Sequence, residues 1–169
     1  SVFGLYAKER YNYTPQQVGT ILTVIGLISA LIQGGLTGPA TRKFGEIKVI
    51  RAAFISSAIG FLLMILAQNY LQVMLTAGYF VLSNAMLNPS VASLISKNTS
   101  TEQGITMGLN NSFLSLGRIV GPMWAGSIFD IDIHFPYFSG FLIMLLGFLI
   151  SLAWSRQEID MRFNSEVEN

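Results

Sequence analysis

The stretch that decides the class of fold is residues 52–96, AAFISSAIGFLLMILAQNYLQVMLTAGYFVLSNAMLNPSVASLIS. Its 45 residues include no Asp, Glu, Lys or Arg. Charged residues make up 11% of the whole 169-residue chain, against about 25% in an average soluble domain. A soluble domain of this size would lack the polar side chains needed to cover its surface. The sequence therefore predicts a membrane protein whose first partner is the lipid bilayer.

Five apolar segments are long enough to cross a bilayer, for which a helix needs about 20 residues. They run from about Val18 to Ala40, Val49 to Ala67, Tyr70 to Ile95, Gly104 to Phe129 and Phe135 to Trp154. The alternation of polar and apolar residues that marks a membrane strand is absent from them. Residues 1–9, SVFGLYAKE, look like the outer end of one more helix, in a chain that we expect to be part of a longer protein. The predicted fold is an all-α membrane bundle of five full spans plus the end of a sixth.

The positive charges beside each span predict the orientation of the chain in the membrane. Assigning alternate loops to alternate sides gives seven Lys and Arg on one side and two on the other. The richer side is expected to be cytoplasmic. We therefore predict a multi-pass protein of the plasma (inner) membrane. Its bundle would span residues 1–154, followed by a disordered cytoplasmic tail at residues 155–169.

Arg118 is the one charged residue deep within a predicted span, in the stretch LGRIVGPMWAG at residues 116–126. A central arginine costs about 2.5 to 3.5 kcal/mol on insertion scales, so it should face protein or water. Asn111, Ser115 and Pro122 follow helical spacing with it and form one polar face. One interpretation is that this face lines a central cavity. The other is that Arg118 snorkels outward or only ties two helices together.

Three further sets of residues are candidates for the site. Polar side chains within the spans would line a substrate cavity, unless they only bond neighbouring helices. Aromatic side chains would stack on flat lipophilic ligands, unless they are ordinary membrane-helix aromatics. Glycines at small-xxx-small spacing would let helices approach closely, with a proline that can bend the helix. The cavity set adds Ser29, Gln33, Asn84 and Asn88; the aromatic set is Tyr79, Phe80 and Phe113; the packing set is Gly117, Gly121, Pro122 and Gly126.

Several kinds of chemistry are excluded by composition. The chain has no cysteine and a single histidine, His134, so neither a thiolate nor a histidine-based metal site can form. The spans carry no Ser/His pair, Asp pair or HExxH motif, and we predict no enzyme activity, no metal and no nucleic-acid partner. The function must be one that a bundle of apolar helices can perform.

Two motifs carry a resemblance to a known family. LGRIVGPMWAG resembles the G-x-x-x-G-P-x-x-x-G element of drug/proton antiporters in the major facilitator superfamily. The loop GPATRKFG, residues 38–45, resembles a second signature, G-x-L-A-D-R-F-G-R. Gly38 and Gly45 keep its glycine spacing, and Lys43 and Phe44 fall on its basic and aromatic positions. Arg42 stands where the aspartate belongs, and Glu46 replaces the following arginine.

Two longer stretches are also similar to bacterial quinolone and multidrug efflux pumps. NNSFLSLGRIVGPMWAGSIFDID, residues 110–132, is similar to their eleventh helix. GLYAKERYNYTPQQVG, residues 4–19, resembles the end of their seventh. The resemblance implies the C-terminal half of a major facilitator fold, from the end of helix 7 through helix 12.

The resemblance also implies a mechanism, alternating access with a proton driving a lipophilic small molecule outward. The partner would be the N-terminal half of the same transporter, and no cofactor besides the coupling proton is expected. Proton coupling needs an embedded group that titrates, usually Asp or Glu, and none of the five spans contains one. The coupling acid is therefore expected outside this chain. The alternatives are a transporter of the same fold for a sugar or metabolite, and a membrane scaffold that transports nothing.

Overall fold

The computed structural model describes residues 10, 11, 13–99 and 103–167, with side chains described through Trp154. The predicted helix end at residues 1–9 lies outside this part. Within it, the chain is helical and no strand occurs, so the all-α prediction is confirmed. The elements are α1 (Pro15–Leu31), a π-helical segment (Ile32–Leu36), α2 (Thr37–Phe44), α3 (Glu46–Leu66), α4 (Tyr70–Ala85), α5 (Leu87–Asn98), α6 (Gln103–Phe129) and α7 (Phe135–Val167).

The described residues include four helical stretches that are long and apolar enough to cross a membrane. They are Pro15–Phe44, Glu46–Leu66, Tyr70–Asn98 and Phe135–Trp154. The remaining predicted span corresponds to α6, whose 27 residues are sufficient in length. Asn110, Asn111 and Arg118 make α6 less apolar than the others. Four of the five predicted spans thus meet both criteria, and α6 meets the criterion of length.

The first span is interrupted, which the sequence pattern did not predict. The sequence TPQQ, residues 14–17, predicts a capping box at the start of this span. The structure contains it: the Thr14 side chain and the Gln17 side chain each accept a hydrogen bond from the other's backbone N–H. At Ile32–Leu36 the helix widens into a π segment. The hydroxyl of Thr37 donates to the carbonyl of Ile32 at 3.1 Å, five residues back. The span is therefore two α-helices joined by one wide turn.

The third span is also divided, at Met86 between α4 and α5. Pro89 lies three residues further on and lacks an N–H, so it cannot extend the hydrogen bonding of α4 through this turn. The sequence itself predicts a kink here, because a proline at position 89 leaves the carbonyl of Ala85 without its usual helical donor. The observed break agrees with that prediction.

α3 is the central helix of the bundle and packs against α4, α5 and α7. Glycines bring these helices close together. A Cβ built on Gly60 would lie 3.1 Å from the Cβ of Phe80. On α7, a Cβ on Gly140 would lie 2.6 Å from the ring of Phe61, and the Gly147 position meets the ring of Phe54 in the same way. Hydrogen in place of a side chain is what allows this approach.

A cluster of buried side chains closes the end of the bundle at which α1 begins and α3 ends. Its core is Ile21, Met64, Ala67, Val73 and Ala77, with Tyr11, Tyr13, Phe129, Ile133 and Tyr137 among the side chains packed on it. Arg10 donates to the carbonyl of Ile65 at 2.9 Å, and its Nη1 lies 3.2 Å from Nδ1 of His134. The hydroxyl of Tyr11 donates to the carbonyl of Ala67. These bonds fix residues 10 and 11 over the ends of α3 and α6.

The last two helices differ from the others, α6 in its sparse packing and α7 in its length. α6 packs mainly against α5 and α7 and has no buried residue within the described chain. α7 continues to Val167. The expectation of a disordered tail from Ser155 is therefore wrong for the backbone, because the polar residues after Trp154 extend the helix past the apolar span.

Candidate functional site

A cleft of about 950 Å³ opens between α6 and the rest of the bundle. Side chains from α1, α3, α4, α6 and α7 line it, and nearly all of them are aliphatic, aromatic or glycine. The hydroxyls of Tyr137 and Ser139 are its few polar groups. The lining residues are Leu22, Ile25, Gly60, Phe61, Met64, Ala77, Phe80, Val81, Gly117, Val120, Gly121, Trp124, Ala125, Pro136, Tyr137, Ser139, Gly140, Ile143 and Met144.

The glycines of the predicted packing motif lie beside open space in the described chain. A Cβ built on Gly117, Gly121 or Gly126 would meet no atom within 4 Å. These glycines therefore bring no other described helix against α6, and Gly117 and Gly121 line the cleft instead. Pro122 lies within α6, which stays helical through it. Close packing at this motif remains a prediction for a helix outside the described residues.

Of the predicted cavity and aromatic residues, Phe80 alone is among the side chains that line the cleft. Its ring centroid lies 4.6 Å from that of Phe61, at an interplanar angle of 57°. The two rings form part of the cleft wall where α3 and α4 meet. Stacking of a lipophilic ligand on Phe80 remains a prediction.

Three other predicted residues lie on the same helix faces as cleft-lining residues, one helical turn further from the end of the bundle that the Ile21 cluster closes. Ser29 follows Ile25 by four residues on α1, and Asn84 follows Phe80 by four. Phe113 precedes Gly117 by four on α6. Residues four apart share a helix face. The apolar cleft therefore leads toward an inner zone where hydroxyl and amide groups are available.

The sequence analysis missed one residue of this inner zone, Ser57. It precedes Gly60 by three residues on α3, and its side chain is fully buried. Its hydroxyl has no hydrogen-bond partner among the described residues. The available signal was the helical spacing that Ser57 shares with Gly60 and Met64. That signal is weak, because serine is common in membrane helices as a small packing residue.

Arg118 and its polar stripe lie beside the cleft-lining face of α6. Successive residues of an α-helix are about 100° apart, so Arg118 is rotated by about 100° from the cleft-lining Gly117 but by only about 20° from the cleft-lining Ala125. Arg118, Asn111, Ser115 and Pro122 are exposed and are not among the lining residues. Arg118 makes no hydrogen bond or ion pair within the described chain. The polar stripe therefore borders the apolar cleft along α6.

The remaining candidates lie apart from the cleft. The hydroxyl oxygen of Tyr79 accepts a hydrogen bond from Ser56 at 2.8 Å, and Ser56 also bonds Ser83 at 2.6 Å. Tyr79 is therefore tied to α3. Gln33, in the π segment, and Asn88, in the first turn of α5, are exposed. Neither makes a side-chain hydrogen bond with the described residues.

The loop motif forms the connection between α2 and α3. Gly38 lies in the first turn of α2, while Arg42, Lys43 and Phe44 form its exposed end. Gly45 has φ +82°, a left-handed conformation that favours glycine. This single residue reverses the chain. The α2 end and the α3 start therefore lie at the same end of the bundle.

Glu46 and Arg51 connect α3 to two other helices at this end. The carboxylate of Glu46 forms an ion pair with Lys97 of α5 and accepts a hydrogen bond from Ser93 at 3.0 Å. Arg51 donates to both the hydroxyl and the carbonyl of Ser151 on α7, at 3.2 and 2.8 Å. The sequence analysis noted Glu46 only as a departure from the loop motif and gave Arg51 no role of its own.

Comparisons with known proteins give the family and relatives of the chain. It is 30% identical over 161 residues to multidrug resistance protein 2 of Bacillus subtilis (strain 168), and these cover 95% of this chain and 40% of that protein. Multidrug resistance protein 1 of the same strain is 29% identical, with 91% and 40% covered. Quinolone resistance protein NorA of Staphylococcus aureus (strain COL) is 28% identical, with 90% and 39% covered. The chain thus spans about 40% of the length of these relatives.

The sequence pattern that defines the Major Facilitator Superfamily matches residues 1–167 of the chain. The resemblance seen in the two motifs is confirmed. At the level of the family, this also supports a transporter rather than an enzyme. The match covers nearly the whole chain, which therefore belongs to the Major Facilitator Superfamily.

Proposed function

We propose that the chain is the C-terminal half of a proton-coupled multidrug efflux transporter that works by alternating access. Its substrates are lipophilic small molecules, and its partner is the N-terminal half of the same transporter. The protein lies in the plasma membrane with the basic α2–α3 connection and the C-terminus in the cytoplasm. The names of the relatives support the substrate class, since all three proteins are named for resistance to drugs.

The observation that carries this proposal is the polar face of α6. Arg118 is exposed within the described chain, yet it lies in the middle of a 27-residue helix. A charge at that depth is costly against lipid, so it faces protein or a water-filled cavity. The neighbouring Asn111 and Ser115 make no hydrogen bond with other described helices either. A central cavity formed with the N-terminal half of the transporter provides hydrogen-bond partners for all three side chains.

The apolar cleft supports lipophilic rather than strongly polar substrates. Binding sites for drug-sized molecules are mostly apolar, with volumes of about 300 to 1,000 Å³. The cleft falls within this range at about 950 Å³. A sugar would leave many hydroxyls unpaired against this lining, which argues against the alternative of a sugar carrier.

The coupling acid of this mechanism lies outside the chain's spans. Asp and Glu are absent from the interior of all the membrane helices, and arginine side chains do not serve as proton carriers in proteins. In the proposed cycle a carboxylate on another helix takes up the proton. Arg118 supplies a fixed positive charge that attracts this carboxylate when the carboxylate is ionised.

The test is transport by the full-length protein in proteoliposomes. An imposed proton gradient should drive a lipophilic fluorescent dye across the membrane, and a protonophore should abolish the movement. Gradient-driven movement of a labelled sugar without dye movement would support the metabolite carrier. Movement of neither, by a protein shown to be folded, would support the scaffold.

A further inference from the structure

Three exposed cations surround the tight turn between α2 and α3, and we name them the basic rim: Arg42, Lys43 and Lys48. Arg42 and Lys43 end α2, and Lys48 lies in the first turn of α3. Because Gly45 alone connects the two helices, the three charges fall within seven consecutive residues. The helices on either side both belong to membrane-crossing stretches. The basic rim therefore lies where the membrane meets water.

The positive charge of the basic rim is not neutralised by the described chain. Glu46 is the one acidic residue in this turn, and Lys97 and Ser93 already engage its carboxylate. Its side chain is only 12% exposed. None of the three rim cations forms an ion pair within the described residues. The rim thus presents three cations to its surroundings.

Helix stabilisation accounts for only part of this charge. Arg42 and Lys43 lie in the last turn of α2, where cations are favourable against the helix dipole. Lys48 lies in the first turn of α3, where the dipole disfavours a cation. The helix dipole therefore does not account for the ammonium of Lys48 at this position. Folding of α3 alone does not explain its position.

Phe44 gives the basic rim an apolar element at the same level. Its side chain is 57% exposed, and the ammonium of Lys43 lies 5.3 Å from its ring centroid. Aromatic rings flanked by lysine are typical of the boundary between headgroups and acyl chains, where the ring enters the apolar layer and the ammonium stays in water. A purely aqueous anion would make no use of this ring.

We propose that the basic rim binds the headgroup of an anionic phospholipid, with Phe44 against the upper acyl chain. Arg42, Lys43 and Lys48 contact the phosphate and any further negative group of the headgroup. The binding depends on the membrane location of the chain and is independent of which substrate is transported. It can therefore be tested without a transport measurement.

The experiment uses the full-length protein in nanodiscs of phosphatidylcholine with a minor fraction of spin-labelled phosphatidylglycerol. The measured quantity is the affinity for the anionic lipid relative to labelled phosphatidylcholine. Arg42→Gln/Lys43→Gln is expected to lower this preference roughly fivefold or more, and Lys48→Gln to lower it further. Arg42→Lys/Lys43→Arg, which keeps both charges, should leave it nearly unchanged.

A matched control separates a site from general attraction between positive protein and negative lipid. Arg162→Gln removes one charge about 12 Å beyond the apolar span and should change the lipid preference less than about twofold, whereas Lys43→Gln alone should lower it by more than that. An equal loss from the tail variant would overturn the proposal. Displacement of the lipid by millimolar inorganic phosphate would also overturn it, because the rim would then be a site for a soluble anion.

Discussion

The guanidinium of Arg51 joins α3 to α7 by donating to both the hydroxyl and the carbonyl of Ser151, 100 residues further along the chain. We expect Arg51→Lys to lower the stability of the full-length protein by about 1 kcal/mol, because lysine lacks the planar set of donors that reaches both oxygens. Thermal unfolding in detergent would measure this loss. Arg42→Lys, at an exposed position, is the control and should unfold at the wild-type temperature.

A second prediction concerns the contact between α3 and α4. Gly60→Ala places a methyl group against the backbone and Cβ of Phe80, which must shift by a few tenths of an ångström. We expect a loss of stability of about 1 to 3 kcal/mol, as for other overpacked sites. Gly19→Ala is the matched control, because Gly19 is a helical glycine outside the packing motif and a Cβ there meets nothing within 4 Å. Equal unfolding temperatures for the two variants would contradict the packing described for α3.

The third prediction tests the cleft. Gly121→Leu projects an isobutyl group into the space between α6 and the bundle. Efflux of a lipophilic dye by the full-length protein should fall at least roughly tenfold if substrates need this space. Gly19→Leu, at an exposed glycine outside both the cleft lining and the packing motif, should retain most of the activity. Both rates should be normalised to the amount of protein in the membrane. Equal rates for the two variants would show that the cleft has no part in transport.

The fourth prediction concerns Arg118. Arg118→Ala should impair efflux more than Arg118→Lys, because lysine keeps the charge and loses the planar arrangement of donors. If the partner is the coupling carboxylate, the alanine variant should also change how efflux depends on external pH. Efflux should be measured over a range of external pH for wild type and both variants. Wild-type behaviour of the alanine variant at every pH would mean that Arg118 only snorkels to the membrane surface.

The fifth prediction concerns orientation. The chain has no cysteine of its own, so in a full-length protein whose remaining cysteines have been replaced, single cysteines report the side of the membrane directly. Lys43→Cys should react with an impermeant maleimide only from the cytoplasm, and Ile131→Cys only from outside. Both positions are exposed and so accessible to the reagent. Labelling of both from the same side would contradict the alternation of the spans.

The helices were predictable from the sequence because length and apolar composition determine them. Residues 52–96 required membrane burial, Thr14 and Gln17 marked a helix start, and Pro89 marked a break. Each of these signals is local, because a short stretch of sequence is enough to predict a helix, its start or its break without knowing which helices lie beside it.

The arrangement of side chains was less predictable, because it depends on which helices meet. The spacing of Gly117 and Gly121 predicted close packing, yet both border the cleft in the described chain. Ser57 was missed because a lone serine has no periodic signal of its own. Tyr79 was predicted as a ligand-stacking residue, and nothing in its sequence context indicates its bond to Ser56. The roles proposed for these residues remain predictions.

The π segment of the first span changes the phase of the helix that carries the loop charges. Ile32 and Thr37 are both buried although five residues separate them, while Leu36, four residues after Ile32, is 57% exposed. The wide turn thus contains about one residue more than an α-helical turn. Every side chain after it is rotated by about 100° from the direction that an uninterrupted helix would give. The direction in which Arg42 and Lys43 leave the bundle is therefore determined by one surplus residue, about two turns earlier in the chain.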